Sequence, residues 1–250
     1  MPNPEDHQLA RRLAGEAGAL LLRLRAELQA EGADERRTKD EGDRRSHEWL
    51  VAELARERPD DAVLSEEARA GERSDAARLR SRRVWIIDPL DGTREFGEGR
   101  SDWAVHVALV EDGVPTAGAV ALPGLDQVLD TGSPPEVPPA PERLRVVVSR
   151  SRPPAEAMRI AHALDAELVE MGSAGAKAMA ILRGEADVYA HSGGQFEWDS
   201  AAPVAVASAA GLHCSRLDGA PLVYNRVDSY LPDLLVCRPE HAAKVIAASA

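Results

Sequence analysis

Cysteine, positive charge and long apolar runs are all scarce in this chain, and each scarcity removes a class of protein. Cys214 and Cys237 are the only 2 cysteines in 250 residues, too few for a disulfide framework or a zinc site without well-spaced histidines. Both lie in apolar, strand-like runs and read as buried, inert thiols. Lys and Arg number 30 against 42 Asp and Glu, a net charge of −12, which argues against a nucleic-acid polymer as partner. A small anionic substrate stays open, because bound cations would invert the field locally. No apolar stretch approaches the roughly 18–20 residues that span a bilayer. The acidic, proline-containing start has no signal-peptide pattern, so a cytoplasmic protein with no membrane partner is expected. No internal repeat or low-complexity tail is visible.

What remains is an ordinary core-forming composition, 44% hydrophobic and 29% charged, enough for one large or two modest domains. Leu9, Leu13, Ala17, Leu20, Leu21, Leu24 and Leu28 recur at helical spacing and predict an amphipathic first helix. A charged loop is expected over Ala33–Gly42, then a helix from about Asp43 to Arg58, stopped by Pro59, and a strand reaching Glu66. Arg78, Arg80, Arg82 and Arg83 read as a solvated face, with attraction of phosphates as the other option. A hairpin follows, Trp103–Val110 and Val114–Leu122, with a further strand at Gln127–Thr131. Gly132–Pro141 carries five prolines in ten positions and reads as a linker. Beyond it, strands at Leu144–Ser149, Glu167–Met171 and Ala186–Ala190 alternate with helices at Ala155–Leu164, Ala174–Arg183 and Trp198–Ala210. That spacing predicts a mainly parallel sheet with helices on its faces. The expected organisation is an α+β part over 1–141 and an α/β part over 142–250.

The stretch Trp85–Phe96, WIIDPLDGTREF, concentrates the chemistry. Trp85, Ile86 and Ile87 suit a buried strand, and Pro89, with no N–H to donate, is expected to end the pairing at Asp88. Two carboxylates at a strand end, followed by an Asp91-Gly92 turn that admits close backbone approach, suit a hard cation that takes oxygen donors. An Asp-Gly after an apolar run can also be a plain turn.

DPLDGT resembles the signature of the lithium-sensitive, magnesium-dependent phosphatases that include inositol monophosphatase, fructose-1,6-bisphosphatase and 3'(2'),5'-bisphosphate nucleotidase. Ala62-Val63-Leu64-Ser65-Glu66-Glu67 resembles the second motif of that family, and Glu197-Trp198-Asp199-Ser200-Ala201-Ala202-Pro203 the third. Arg94-Glu95-Phe96 resembles the CysQ-type nucleotidase branch, where inositol phosphatases more often carry Asn-Phe. The resemblance implies a five-layer αβαβα sandwich with the active site where its two halves meet. It implies two or three Mg²⁺ per site on Glu66, Asp88, Asp91, Asp199 and the Leu90 carbonyl, inhibition by Li⁺, and, as is common among relatives, a homodimer. The implied reaction is removal of the 3'-phosphate of 3'-phosphoadenosine 5'-phosphate, in sulfate assimilation. Inositol-1-phosphate or fructose-1,6-bisphosphate is the alternative substrate.

In that family a Thr-Asp pair accepts a proton from the attacking water. Thr93 matches the threonine and Asp43 best matches the aspartate, but Lys39-Asp40-Glu41-Gly42-Asp43 departs from the usual Val-Thr-x-x-Asp, so Asp40 competes. As a residue read alone, Asp43 would be a helix N-cap. Substrate contacts are expected from the Gly92 and Thr93 backbone, together with Glu66, Leu90, Asp91 and Asp199. Gly172-Ser173-Ala174-Gly175-Ala176-Lys177 resembles the nucleotidase turn whose serine and lysine, here Ser173 and Lys177, hold the second phosphate. Ser149-Arg150-Ser151-Arg152 resembles the lining of the nucleoside pocket. An arginine expected before the Trp-Asp is His191 or is absent. No histidine is expected near the motifs, and His106 reads as structural. A haloacid-dehalogenase-type phosphatase needs its acids separated by one residue, whereas Asp88 and Asp91 are separated by two. A metal-binding regulatory protein without catalysis finds support only in the altered Asp43 loop.

Overall fold

In the computed structural model, which describes residues 3–68 and 76–249, the first helix follows from its cap and its stripe. Asn3 accepts from the Glu5 N–H at 3.1 Å, Pro4 sits where its missing donor costs nothing, and Leu9, Leu13, Leu21, Leu24 and Leu28 line the buried side of α1 (Pro4–Ala30). The expected loop over Ala33–Gly42 is helical instead. Asp34 accepts from the Arg37 N–H at 2.7 Å and opens α2 (Glu35–Glu57). Ion pairs Glu35–Lys39, Glu41–Arg45 and Arg44–Glu48 run along its surface. Charged unbranched residues are good helix formers, so the polarity here marks an exposed helical face. Asp43 therefore lies inside α2, roughly two turns past its start, and is not an N-cap. Asp34→Ala should lower the unfolding free energy by about 1 kcal/mol in urea melts. An unchanged midpoint would mean that the first turns of α2 form without their cap.

Two five-stranded sheets follow. In the first, β1 (Ala62–Ser65) pairs parallel with β2 (Arg83–Asp91), and β3 (Ala104–Glu111), β4 (Val114–Leu122) and β5 (Gln127–Asp130) continue antiparallel. Short helices α3 (Ala76–Arg80) and α4 (Thr93–Gly97) flank β2. The second sheet has the order β7-β6-β8-β10-β9, with β6 (Arg145–Ser149), β7 (Glu167–Met171), β8 (Val188–Phe196), β9 (His213–Ser215) and β10 (Tyr230–Cys237). Its helices are α5 (Ala155–Leu164), α6 (Ala174–Leu182), α7 (Glu197–Ala209) and α8 (Ala242–Ser249). The expectation of a mainly parallel sheet is corrected to a mixed one, since β10 runs antiparallel to both β8 and β9. A parallel return needs a crossover element, and the chain between β9 and β10 has no helix to supply it.

Three hydrophobic clusters hold the layers together, the middle one reaching both faces of the central helical layer. Leu13, Leu21, Leu54, Trp85 and Ile87 fill the space between α1, α2 and the first sheet. Leu64, Val84, Ile86, Met179, Val206 and Val236 pack the first sheet against α6, α7 and the second sheet. Val146, Ile160, Leu235 and Val245 join the second sheet to α5 and α8. The alternation along β2, with Trp85 and Ile87 facing one core and Val84 and Ile86 the other, is what a strand buried on both faces requires. The result is the αβαβα sandwich. Residues 131–144 join the two sheets without a helix or strand.

Three of the four clustered arginines are engaged within the protein, and Arg80 is exposed. Arg78 donates to the Arg226 carbonyl at 3.2 Å, Arg82 to Asp112 at 2.7 Å, and Arg83 to Asp61 at 2.9 Å and Glu111 at 3.0 Å. None of them lines the cleft described below. Burial pushes the Cys214 and Cys237 thiols up to about 11 and about 12, which leaves them unreactive. Among the described residues, no helix is long and apolar enough to cross a membrane.

Candidate active site

Asp88 and Asp91 are three residues apart, and in a regular strand that odd spacing would send them to opposite faces. The chain avoids this with a bulge. Asp88 is opposite His106 and Asp91 is opposite Ala104, so three steps on β2 match two on β3. Pairing therefore does not stop at Asp88, and β2 runs on to Asp91. The bulge is pinned from two sides: Ser46 of α2 donates to the Pro89 carbonyl at 2.7 Å, and the Leu90 N–H donates to Asp88 Oδ1 at 3.1 Å. Gly92 then turns the chain with φ +87°, and a Cβ there would stand 2.9 Å from that of Ser173.

Carboxylate oxygens of Asp88, Asp91 and Asp199 lie within 4.8 Å of one another. Asp199 arrives from the first turn of α7, where it accepts from the Phe196 N–H at 2.7 Å. Glu66, just past β1, is hydrogen-bonded to Asp88. Burial, and then the neighbouring carboxylates, push Asp88 well above the usual range. Burial also raises Glu66 and Asp199 to about 7, with Asp91 adding to both. Asp91 is the exception. Burial would raise it too, but the His106 charge, the Ser173 hydroxyl at 2.6 Å and the Gly175 N–H at 2.6 Å hold it at about 2. The Ala174 N–H adds a bond to its other oxygen at 3.1 Å.

Crowded acids with little compensating charge from the protein fit divalent cations, and an all-oxygen donor set suits a hard one. The Leu90 carbonyl, between Asp88 and Asp91 in the chain, accepts from Thr93 Oγ1 at 3.1 Å. The same hydroxyl stands 3.1 Å from Asp43 Oδ1. Burial and then the Glu67 charge raise Asp43 to about 7. Asp40, the competing candidate, is exposed and reaches Arg36 at 3.7 Å.

A cleft of about 850 Å³ opens beside the acids. Asp91 and Asp199 line one part, and Ser149, Arg150, Ser151, Arg152, Ser173, Lys177 and His191 line others. Three residues expected at the substrate are already engaged within the protein. Ser173 gives its proton to Asp91 and caps α6 by accepting from the Ala176 N–H at 2.9 Å. The buried Lys177 ammonium donates to the Gly172 and Ser173 carbonyls and stands 5.5 Å from the centre of the Tyr189 ring. Arg150 bridges Glu95 at 2.9 Å and Glu98 at 2.7 Å. Arg152 is exposed on the cleft wall, and its guanidinium has no protein partner among the described residues. Sequence reading placed it in the pocket lining but not among the anion-binding residues, because a committed and a free cation look alike in a motif.

The expectation that no histidine lies near the motifs is corrected. His106 is fully buried on β3, with Nε2 3.1 Å from Asp91 Oδ2 and Nδ1 3.0 Å from the Trp198 carbonyl. The available signal was its register opposite Asp88, which only strand pairing reveals.

Comparison with known proteins gives consistent matches. A model of the inositol monophosphatase family matches residues 5–250. The 3'-phosphoadenosine 5'-phosphate phosphatase of Mycobacterium tuberculosis (strain CDC 1551 / Oshkosh) is 53% identical over 246 residues, covering 94% of this chain and 90% of that protein. The 3'(2'),5'-bisphosphate nucleotidase CysQ of Escherichia coli K12 is 33% identical over 202 residues, covering 74% of this chain and 79% of that one. Among solved structures, CysQ from Bacteroides thetaiotaomicron superposes with a TM-score of 0.77 at 28% identity, covering 94% of this chain and 97% of that chain.

Proposed function

This chain belongs to the inositol monophosphatase family, and from that premise we propose that it hydrolyses the 3'-phosphate of 3'-phosphoadenosine 5'-phosphate to give AMP and phosphate. The observation that carries the reading is the cleft itself, with a crowded acidic end and a free arginine on its wall. A substrate bearing two phosphates on one nucleoside needs an anion site at each end.

Glu66, Asp88, Asp91, Asp199 and the Leu90 carbonyl would hold the cations, for which we propose Mg²⁺. Bound there, they would neutralise the acids and polarise the phosphoryl oxygens as Lewis acids. Water is the nucleophile. The Thr93 hydroxyl has one proton and two acceptors at equal distance, Asp43 and the Leu90 carbonyl. Donation of that proton to Asp43 would leave the Thr93 lone pairs to accept from the water, and the Leu90 carbonyl would be free to serve as a cation ligand. An Asp43 carboxyl at about 7 is matched to taking up a proton near neutral pH. The Gly92 turn brings backbone close to the scissile phosphate, and Asp199 flanks the leaving 3'-oxygen. Arg152 takes the 5'-phosphate, while Lys177 and Ser173 shape its surroundings through the turn they hold. The proposed setting is the cytoplasm, serving sulfate assimilation.

Phosphate release should be measured with Mg²⁺ on 3'-phosphoadenosine 5'-phosphate, adenosine 3'-phosphate, inositol-1-phosphate and fructose-1,6-bisphosphate. A preference for the bisphosphate nucleotide of about a hundredfold in kcat/KM, or about 2.7 kcal/mol, is expected over the last two. Arg152→Gln should raise KM for the bisphosphate about tenfold or more and leave adenosine 3'-phosphate unaffected, since a charge-assisted hydrogen bond contributes about 1.5–3 kcal/mol. Equal rates on all four substrates would retain the phosphatase and reject the nucleotide assignment.

A further inference from the structure

We propose that His106 is a positioning residue that sets the separation of Asp91 and Asp199, and hence the fit of the acid cluster to a divalent cation. The inference rests on the reading of that cluster as a cation site. A carbonyl can only accept, so Nδ1 carries a proton and donates it to the Trp198 carbonyl at 3.0 Å. The next residue is Asp199, so this bond fixes the peptide from which that carboxylate projects.

The other side of the ring faces Asp91, with Nε2 3.1 Å from Oδ2 but not aligned for a hydrogen bond. One imidazole thereby joins the first turn of α7 to the end of β2, and its own backbone pairs with Asp88 across the ladder. Asp91 and Asp199 are thus referred to one ring, and Asp88 to the backbone of the same residue, which is fully buried in β3.

The surroundings fit this role. A Cβ at Gly175 would lie 2.1 Å from Nε2, so only a glycine lets the start of α6 close over the ring. That same Gly175 donates its N–H to Asp91 Oδ2. Ser173, Gly175 and His106 thus converge on one oxygen of Asp91 and restrict its rotation. Groups that orient a ligand in this way commonly change metal affinity by about 10–100-fold when removed.

The test is calorimetric titration of the metal-free protein with Mg²⁺, alongside metal-free thermal melts and kcat at saturating Mg²⁺. Wild type should bind Mg²⁺. His106→Leu, which loses both contacts, should bind about 10–100-fold more weakly. His106→Asn keeps an N–H near the Nδ1 position and should fall between them, and it stands in if the leucine variant fails to fold. Both variants should keep the wild-type KM for the nucleotide, and kcat should recover as Mg²⁺ is raised. Unchanged Mg²⁺ affinity in a variant whose metal-free melting temperature has dropped would assign His106 to the core alone and overturn the inference. Absence of Mg²⁺ binding by wild type would overturn the cation site and the inference together.

Discussion

Asp88→Asn is expected to lower phosphate release by about a thousandfold or more while making the metal-free protein more stable. The amide keeps the size of the side chain and the acceptor for the Leu90 N–H, so the bulge should survive. It loses the charge that would hold a cation against the phosphoryl group. Removing one electrostatic partner from a transition state already costs about 10²–10³ in rate, and here the partner would anchor a cation.

The stability change has the opposite sign because Asp88, Glu66 and Asp199 all titrate above their ordinary values in the fold. Without cations, the folded state binds protons more tightly than the unfolded chain, whose carboxyls ionise near pH 4. Stability from this cluster is therefore complete below about pH 4 and is lost as pH rises through about 7, where Glu66 and Asp199 ionise in the fold. At pH 8 in a chelator, wild type should melt below Asp88→Asn. Saturating Mg²⁺ should reverse the order, because only wild type would gain fully from binding. Melts at pH 5 and pH 8, with chelator and with Mg²⁺, test this. A variant that melts lower in the chelator would show that the acids do not repel one another as their burial requires.

Asp43→Asn should lower kcat by about 10²–10⁴-fold with little change in KM, the usual range for removing a proton acceptor. Thr93→Val should have a comparable effect, and Thr93→Ser should retain most of the rate, since only the hydroxyl is needed. Asp40→Asn is the matched control, because that residue is exposed and reaches Arg36 across the helix. The pH profile supplies a second readout. Asp43, lifted to about 7 by burial and then by Glu67, accepts a proton only when ionised, so the acid limb of kcat should disappear in the asparagine variant. Equal losses in Asp40→Asn and Asp43→Asn would move the proton path elsewhere.

The acids were legible because each lies beside a strand or helix boundary that local residue types announce. Trp85, Ile86 and Ile87 announce β2, and small residues after Trp198 announce α7. The layered α/β architecture was likewise carried by alternation and by family motifs. What was not legible depends on contacts distant in sequence. His106 acquires its meaning from Trp198 and Asp91, Ser173 from Asp91, and Arg150 from Glu95 and Glu98. The start of α2 was obscured because a fully charged surface gives no apolar period to follow, although Asp34 was there to cap it.

The bulge at Pro89 and Leu90 carries one more consequence. Because three residues on β2 are spent against two on β3, the facing of Asp91 depends on how many residues lie between the two aspartates more than on which they are. The segment behaves like a reading frame. A substitution at Leu90 would alter the packing against α2 while preserving the parity of the strand. Loss of a single residue there would leave two steps against two, a regular ladder that keeps both aspartates on one face without the bulge, whereas straightening the bulge at full length would turn Asp91 to the opposite side of the sheet, away from Ser173, Gly175 and His106.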